Sequence, residues 1–367
     1  MPDTPLDRLS AEGQSVWLDT ISRSALSSGE FAGMMRDDAV VGVTSNPTIF
    51  QKAMAEGNDY DDQLREVLEN ERDPKEIFYA LAHRDITEAC DLLRSVWDRG
   101  SGRDGYVSWE VDPRFANDTQ ATIDEAKRLH DWVDRPNLFV KIPATKEGLP
   151  AIEEMIAIGR NINVTLIFGL QRYREVTEAY LRGVERLIEG GGDPAKVASV
   201  ASFFVSRVDT EADKRLEKVG HQELQGKLAV ANAKLAYEAY QEIFAGERWE
   251  KLAAQGATPQ RCLWASTSTK NPAYRDVLYV EELIGPDTVN TMPISTVKDF
   301  QDHGRVARTL DADLDAAHQV FTDIEAAGVD YEDVTHTLEI EGVDKFKDSM
   351  HELIAGIEAK RDAMVAA

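Results

Sequence analysis

Lys141 occupies NLFVKIPAT, an apolar run of strand character in which a cation is out of place. Burial there disfavours the ammonium form and lowers its pKa, leaving a neutral amine able to attack a carbonyl carbon. The competing account is a lysine that snorkels to solvent or pairs with a carboxylate. Two carboxylates also end apolar runs, Asp19 in WLDTISRS and Glu110 in VSWEVDPR. They could supply the acid and base that Schiff-base formation and carbon–carbon cleavage require. Carboxylates so placed more often cap helices or join ion pairs. Asp112, two residues beyond Glu110, suits capping better.

A second set of polar residues could hold substrate hydroxyls and phosphate. In TSNPTIF, Pro47 suits a first helical position and Asn46 the cap before it, so Asn46 is a cap, a hydroxyl ligand, or both. Arg207 in FFVSRVDTEADKR falls at a strand-to-helix turn, where a guanidinium and backbone amides can hold phosphate together. Lys270 in ASTSTKNP could be its partner; solvated surface cations are the alternative. Asn163, Thr165, Ser202 and Ser266 complete the polar residues within or at the ends of apolar runs.

The elements that must position these residues recur in a fixed order: a β-branched or aromatic run, a polar residue, then a segment of helical period. Eight such runs occur: SVWLD ending at Asp19, VVGVT at Thr44, GYVSWE at Glu110, LFVK at Lys141, INVTLIF over 162–168, VASVASFFV over 197–205, CLWAS ending at Ser266, and TVNTM at Met292. Helix-length stretches separate most of them, including 118–133, 170–189 and 212–244, and the triple glycine at 190–192 ends a helical pattern. Strands apolar on both faces and separated by helices suit a parallel sheet, and closing it gives an α/β fold, a (β/α)8 TIM barrel with additional helices. Polar strand ends then converge on one mouth. The runner-up is an open doubly wound sheet, against which the chain lacks a GxGxxG or P-loop. A single domain over 1–367 is expected, with a helical insertion at about 51–100 and a helical tail from about 310, both packed outside the barrel.

Composition narrows the function. Of 367 residues, 66 are acidic and 41 basic, a net charge of −25 that would repel nucleic acid or an anionic membrane. The same excess repels sugar phosphates, so any phosphate site must build a local cationic pocket. No apolar run approaches a membrane span, and the polar, acidic start MPDTPLDRLSAEG lacks the features of a secretory signal, which makes cytoplasmic residence the default. Cys90 and Cys262 sit in no metal or redox spacing and are expected in the core. None of the seven histidines ends a strand run and no HxH or HExxH occurs, which disfavours metal chemistry; most histidines are expected at the surface.

Six motifs in order, LDT at 18–20, TSNPTIF at 44–50, VSWEVDPR at 107–114, FVKIPAT at 139–145, INVTLIF at 162–168 and SFFVSRVD at 202–209, together closely resemble the transaldolase family, in its longer bacterial form. The resemblance implies a metal-free class I aldolase barrel that needs no cofactor and forms its Schiff base on Lys141. It implies that Asp19 is the acid/base of carbon–carbon cleavage and that Glu110 and Thr165 order a catalytic water. Asn46, Asn163 and Ser202 would hold dihydroxyacetone hydroxyls, Phe204 would line the site, and Arg207 would bind phosphate. The second phosphate position, an arginine in many relatives, aligns with Lys270, with Ser266 or Ser268 alongside. The implied reaction belongs to the non-oxidative pentose phosphate route: sedoheptulose 7-phosphate and glyceraldehyde 3-phosphate exchange a dihydroxyacetone unit to give erythrose 4-phosphate and fructose 6-phosphate. Monomer or homodimer is the implied state. Alternatives are a fructose 6-phosphate aldolase that releases free dihydroxyacetone and a non-catalytic barrel that binds sugar phosphates.

Overall fold

Eight parallel strands close on themselves in sequence order, each paired with the next and the last with the first. They are β1 (Gln14–Leu18), β2 (Val40–Thr44), β3 (Val107–Glu110), β4 (Leu138–Pro143), β5 (Ile162–Ile167), β6 (Ser199–Phe204), β7 (Arg261–Ala265) and β8 (Thr288–Met292). The computed structural model describes residues 4–366, so residues 1–3 and 367 of the expected single domain, and the first residues of the polar N-terminal stretch, lie outside the described residues. Helices follow the strands, as the alternating pattern predicts, and the open-sheet alternative is excluded by closure. Nearly every strand residue is buried, because one face lines the barrel and the other meets helices.

Several expected boundaries shift. Asp19 lies one residue past β1, and Lys141 sits inside β4, which runs on to Pro143. The stretch 212–244 is not one helix: Ser206–Val219 ends at Gly220, and Leu228–Ile243 begins after Gly226, with φ of 84° and 71° at the two glycines. That left-handed backbone stops a helix wherever it occurs. The insertion is helical over Pro47–Glu56, Asp61–Val67 and Pro74–Arg99, with short links between.

The tail departs most from expectation. Its last helix, Tyr331–Ala366, crosses the C-terminal mouth of the barrel and does not simply pack on the outside. Gly342 allows the close approach: a Cβ there would lie 3.2 Å from both Leu166 Cδ2 and Phe168 Cε2. Cys90 and Cys262 are free and buried. His130 is the exception among the histidines expected outside: it is buried, its Nε2 lies 2.9 Å from Asn161 O, and burial pushes its pKa down to about 4.

At the opposite, N-terminal end the barrel is plugged. Trp17, Tyr106 and Phe139 stack inside it, with Tyr106 and Phe139 ring centroids 4.1 Å apart. Gly42 makes room for the Trp17 indole, which a Cβ would meet at 2.5 Å. Below the rings, Asp104 accepts from Ser15 Oγ at 2.8 Å, Trp17 Nε1 at 3.1 Å and Arg261 Nη2 at 3.0 Å.

Candidate active site

The C-terminal mouth opens into a cavity of about 650 Å³. Its wall holds Asp19, Asn46, Lys141, Thr165, Ser202, Phe204, Arg207, Ser266 and Lys270, so most of the polar strand ends converge as a parallel barrel requires. Glu110 and Asn163 stand immediately behind that wall.

Lys141 Nζ donates to Glu110 Oε2 at 3.2 Å and to the Ser45 carbonyl at 2.9 Å. Glu110 is directly opposite Lys141 in the β3–β4 ladder, which brings the two side chains together. Both proposed fates of the lysine therefore meet in one contact: it is buried among strands and paired with a carboxylate, with side-chain exposures of 7% and 2%. Burial raises the Glu110 pKa, against the opposing attraction of Lys141. Asp112, not Glu110, caps the short 3₁₀ turn Pro113–Phe115.

Asp19 caps no helix. It accepts from Thr44 Oγ1 at 3.0 Å, and Thr44 also meets Thr291 Oγ1 at 2.8 Å. Desolvation deep in the mouth raises its pKa, while Lys141, the Thr44 hydrogen bond, Arg207 and Lys270 pull it down. A carboxylate that ionises reluctantly is a stronger base once ionised.

Two buried polar atoms near this pair have no protein partner, Glu110 Oε1 and Thr165 Oγ1. Thr165 precedes Leu166, whose φ of 61° is unusual for a branched residue, and the β5–β6 register shifts at that point. Such a bulge re-aims side chains at a strand end and concentrates near functional sites. Asn163 lies beneath the floor, fully buried, with Oδ1 accepting from Ser202 Oγ at 2.7 Å and Nδ2 donating to Ser108 Oγ at 3.0 Å. Asn46 is both cap and wall: its Oδ1 accepts from Ile49 N at 3.1 Å and the residue lines the cavity.

Cations gather at the outer side. Arg207 is the second residue of the helix Ser206–Val219, its Cζ 5.0 Å from the Phe204 ring centroid, and burial lowers its pKa. Lys270 donates to Ser268 Oγ at 2.7 Å; desolvation and then the positive charge of Arg207 depress its pKa. Ser266 adopts φ of 57° and its Oγ lies 2.8 Å from Ser206 Oγ, tying the Arg207 turn to the segment that carries Lys270. Lys345 of the terminal helix joins them in the cavity wall. A chain of charge −25 thus places three cations around one opening, the local pocket an anionic substrate demands.

The residue pattern that matches this geometry extends over nearly the whole chain. The model of the family described as Transaldolase/Fructose-6-phosphate aldolase matches residues 16–357. The chain belongs to this family. Proteins named transaldolase from Frankia alni, Acidothermus cellulolyticus and Saccharopolyspora erythraea are 54%, 55% and 52% identical to it over 357, 356 and 359 residues. The alignments cover 96%, 96% and 97% of this chain and 96%, 96% and 98% of those proteins.

Residues that sequence reasoning missed come mainly from the terminal helix, where Leu338, Glu341, Gly342, Lys345 and Phe346 line the cavity. Within VDKFKDS no local pattern marks Lys345 or Phe346 as functional. Thr44, by contrast, opens the TSNPTIF motif and could have been read as the support of Asp19.

Proposed function

We propose that this family member acts as a transaldolase, moving a three-carbon dihydroxyacetone unit between sugar phosphates through a Schiff base on Lys141. The observation that carries the reading is the placement of Lys141 Nζ against Glu110 Oε2 at 3.2 Å in a cavity that also holds Asp19 and a cationic rim. The buried carboxylate can accept the lysine proton, which frees the amine to attack the C2 ketone of fructose 6-phosphate or sedoheptulose 7-phosphate. Dehydration of the carbinolamine needs a proton delivered to the departing hydroxyl. A water held by the two unpartnered atoms, Glu110 Oε1 and Thr165 Oγ1, would serve as that relay.

Asp19 then takes the C4 hydroxyl proton, the C3–C4 bond breaks, and its electrons enter the imine to give an enamine on Lys141. The aldose phosphate departs. A second aldose phosphate is attacked by the enamine carbon, Asp19 returns the proton, and hydrolysis of the new imine frees the product. Asn46 and Ser202 hold the dihydroxyacetone hydroxyls from the wall, and Asn163 acts from below by orienting Ser202. Phe204 lines the path between them and the phosphate, which Arg207, Lys270 and the Ser266 hydroxyl receive.

No described helix is long and apolar enough to cross a membrane. We place the chain in the cytoplasm as one domain, acting as monomer or homodimer on sugar phosphates without a cofactor, a nucleic acid or a membrane. One continuous hydrophobic cluster from Leu6 to Ile357 supports the single-domain reading.

Incubation with fructose 6-phosphate and borohydride, followed by peptide mass spectrometry, tests the mechanism. The expected result is a three-carbon adduct on the Lys141 peptide that is absent in Lys141→Ala. Wild-type protein that binds the sugar phosphate and gives no adduct would leave the non-catalytic binding barrel as the better reading.

A further inference from the structure

The enamine formed on Lys141 has two fates. Attack on an acceptor aldehyde completes a transfer. Alternatively the enamine carbon takes a proton, the resulting imine adds water, and free dihydroxyacetone leaves as Lys141 is regenerated. Both routes start from the same intermediate, so the access of water to Lys141 decides between them.

Phe346, on the terminal helix, is the side chain that roofs this position. Its ring centroid lies 5.9 Å from Lys141 Nζ and 6.0 Å from Arg207 Cζ, so it borders both the reacting nitrogen and the cation proposed to bind phosphate. Both distances are at the outer limit for a useful cation–π attraction. The ring's main effect is therefore to occupy space. It is only 4% exposed although it lines an open cavity.

The helix that carries the ring is held at several places, and so forms a fixed roof. Tyr331 OH donates to Asn232 Oδ1 at 2.6 Å and accepts from Leu170 N at 2.9 Å. Thr48 Oγ1 and Ser349 Oγ lie 2.8 Å apart, joining the roof to the helix that Asn46 caps. Lys360 Nζ meets Asp61 Oδ1 at 2.7 Å near the far end. Between these anchors Gly342 presses the helix backbone onto Leu166 and Phe168 at the end of β5. An interior glycine weakens a helix relative to alanine, and here its missing side chain is what lets the roof sit this close.

We propose that Phe346 determines reaction specificity: by shielding the Lys141 enamine from water, it commits the three-carbon unit to transfer and suppresses its release as dihydroxyacetone. This rests on the Schiff-base reading above. The test measures, for one enzyme sample, free dihydroxyacetone released and product formed by transfer to erythrose 4-phosphate, together with borohydride trapping on Lys141. Phe346→Ala should raise the ratio of release to transfer about tenfold, with the trapped adduct retained, and Phe346→Leu should return most of the way to the wild-type ratio. A folded Phe346→Ala enzyme that slows in both reactions with an unchanged ratio would overturn the proposal.

Should loss of the ring unfold the chain, the smaller truncation Phe346→Val offers a second route, since it opens part of the same space and leaves Gly342 seated on Leu166 and Phe168. The ratio should then rise by a smaller factor; a folded Phe346→Val enzyme with the wild-type ratio also refutes the idea. Failure of the underlying reading looks different: no adduct on wild-type Lys141 at all.

Discussion

At the N-terminal end of the barrel, Asp104 accepts three side-chain hydrogen bonds and pairs with Arg261 at 3.0 Å, and Arg261 is satisfied in turn by Ser15 and the Arg103 carbonyl. At the C-terminal end, Glu110 pairs with Lys141 but keeps one oxygen without a protein partner, and Asp19 holds a single threonine hydroxyl. The same kinds of side chain do opposite work. Complete pairing makes a charged cluster into a plug that rigidifies the barrel. Incomplete pairing leaves carboxylates that burial holds back from ionising and atoms that still seek a partner, which is what proton transfer to a substrate requires.

The contrast can be broken most sharply at Lys141. Lys141→Ala should lower transfer activity by roughly 10⁴-fold or more, since the covalent intermediate cannot form; a steady-state assay with fructose 6-phosphate and erythrose 4-phosphate measures it. Asp19→Asn should cost about 10²–10⁴-fold in kcat while leaving the melting temperature unchanged or higher. A carboxyl whose folded pKa is raised above the ordinary 3.8 favours the fold below that ordinary value, and the contribution is lost as pH rises through the raised one. Removing the charge at neutral pH therefore relieves the fold, and calorimetry at pH 7 would read the difference. An Asp19→Asn protein that melts well below wild type would assign Asp19 to the structural class of Asp104.

Asp104→Asn should do the reverse. It leaves the Arg261 guanidinium buried without its counter-ion, an effect of about 3–5 kcal/mol in stability, while activity per folded molecule stays near wild type; urea unfolding alongside an assay separates the two. The pH profile sharpens the comparison further. As the proposed base Asp19 must be ionised, so kcat/KM should fall on the acid side at a pH above the ordinary carboxylate range, and the fall should become less steep in Asp19→Asn, where of the two raised carboxyls only Glu110 still titrates. The smallest effect is expected at the rim. Lys270→Arg should lower the KM for sugar phosphate by roughly two- to fivefold, by restoring the fork that a point charge lacks.

Much of this was legible in the residues. The eight runs are local patterns of β-branched and aromatic residues, and burial on both faces is a property each run states by itself. Once they close into a barrel, the convergence of Asp19, Lys141, Ser202 and Arg207 follows from strand direction alone. The glycines at 220 and 226 also punctuate the chain locally, although the helical period that resumes beyond them makes 212–244 look like one stretch in the sequence.

Other features have no local signature. That Glu110 faces Lys141, that Asn163 sinks beneath the floor to hold Ser202, and that Thr165 is turned by a bulge at Leu166 depend on strand register, which pairing between distant segments sets. The terminal helix is the extreme case. Its amphipathic pattern says that one face is buried and nothing about what buries it; only the packing of that helix across the mouth brings Phe346 and Lys345 to a site built from strands far earlier in the chain. Helical period and strand character are short-range properties of sequence. Which apolar face meets which opening is decided by the energy of the whole packed molecule.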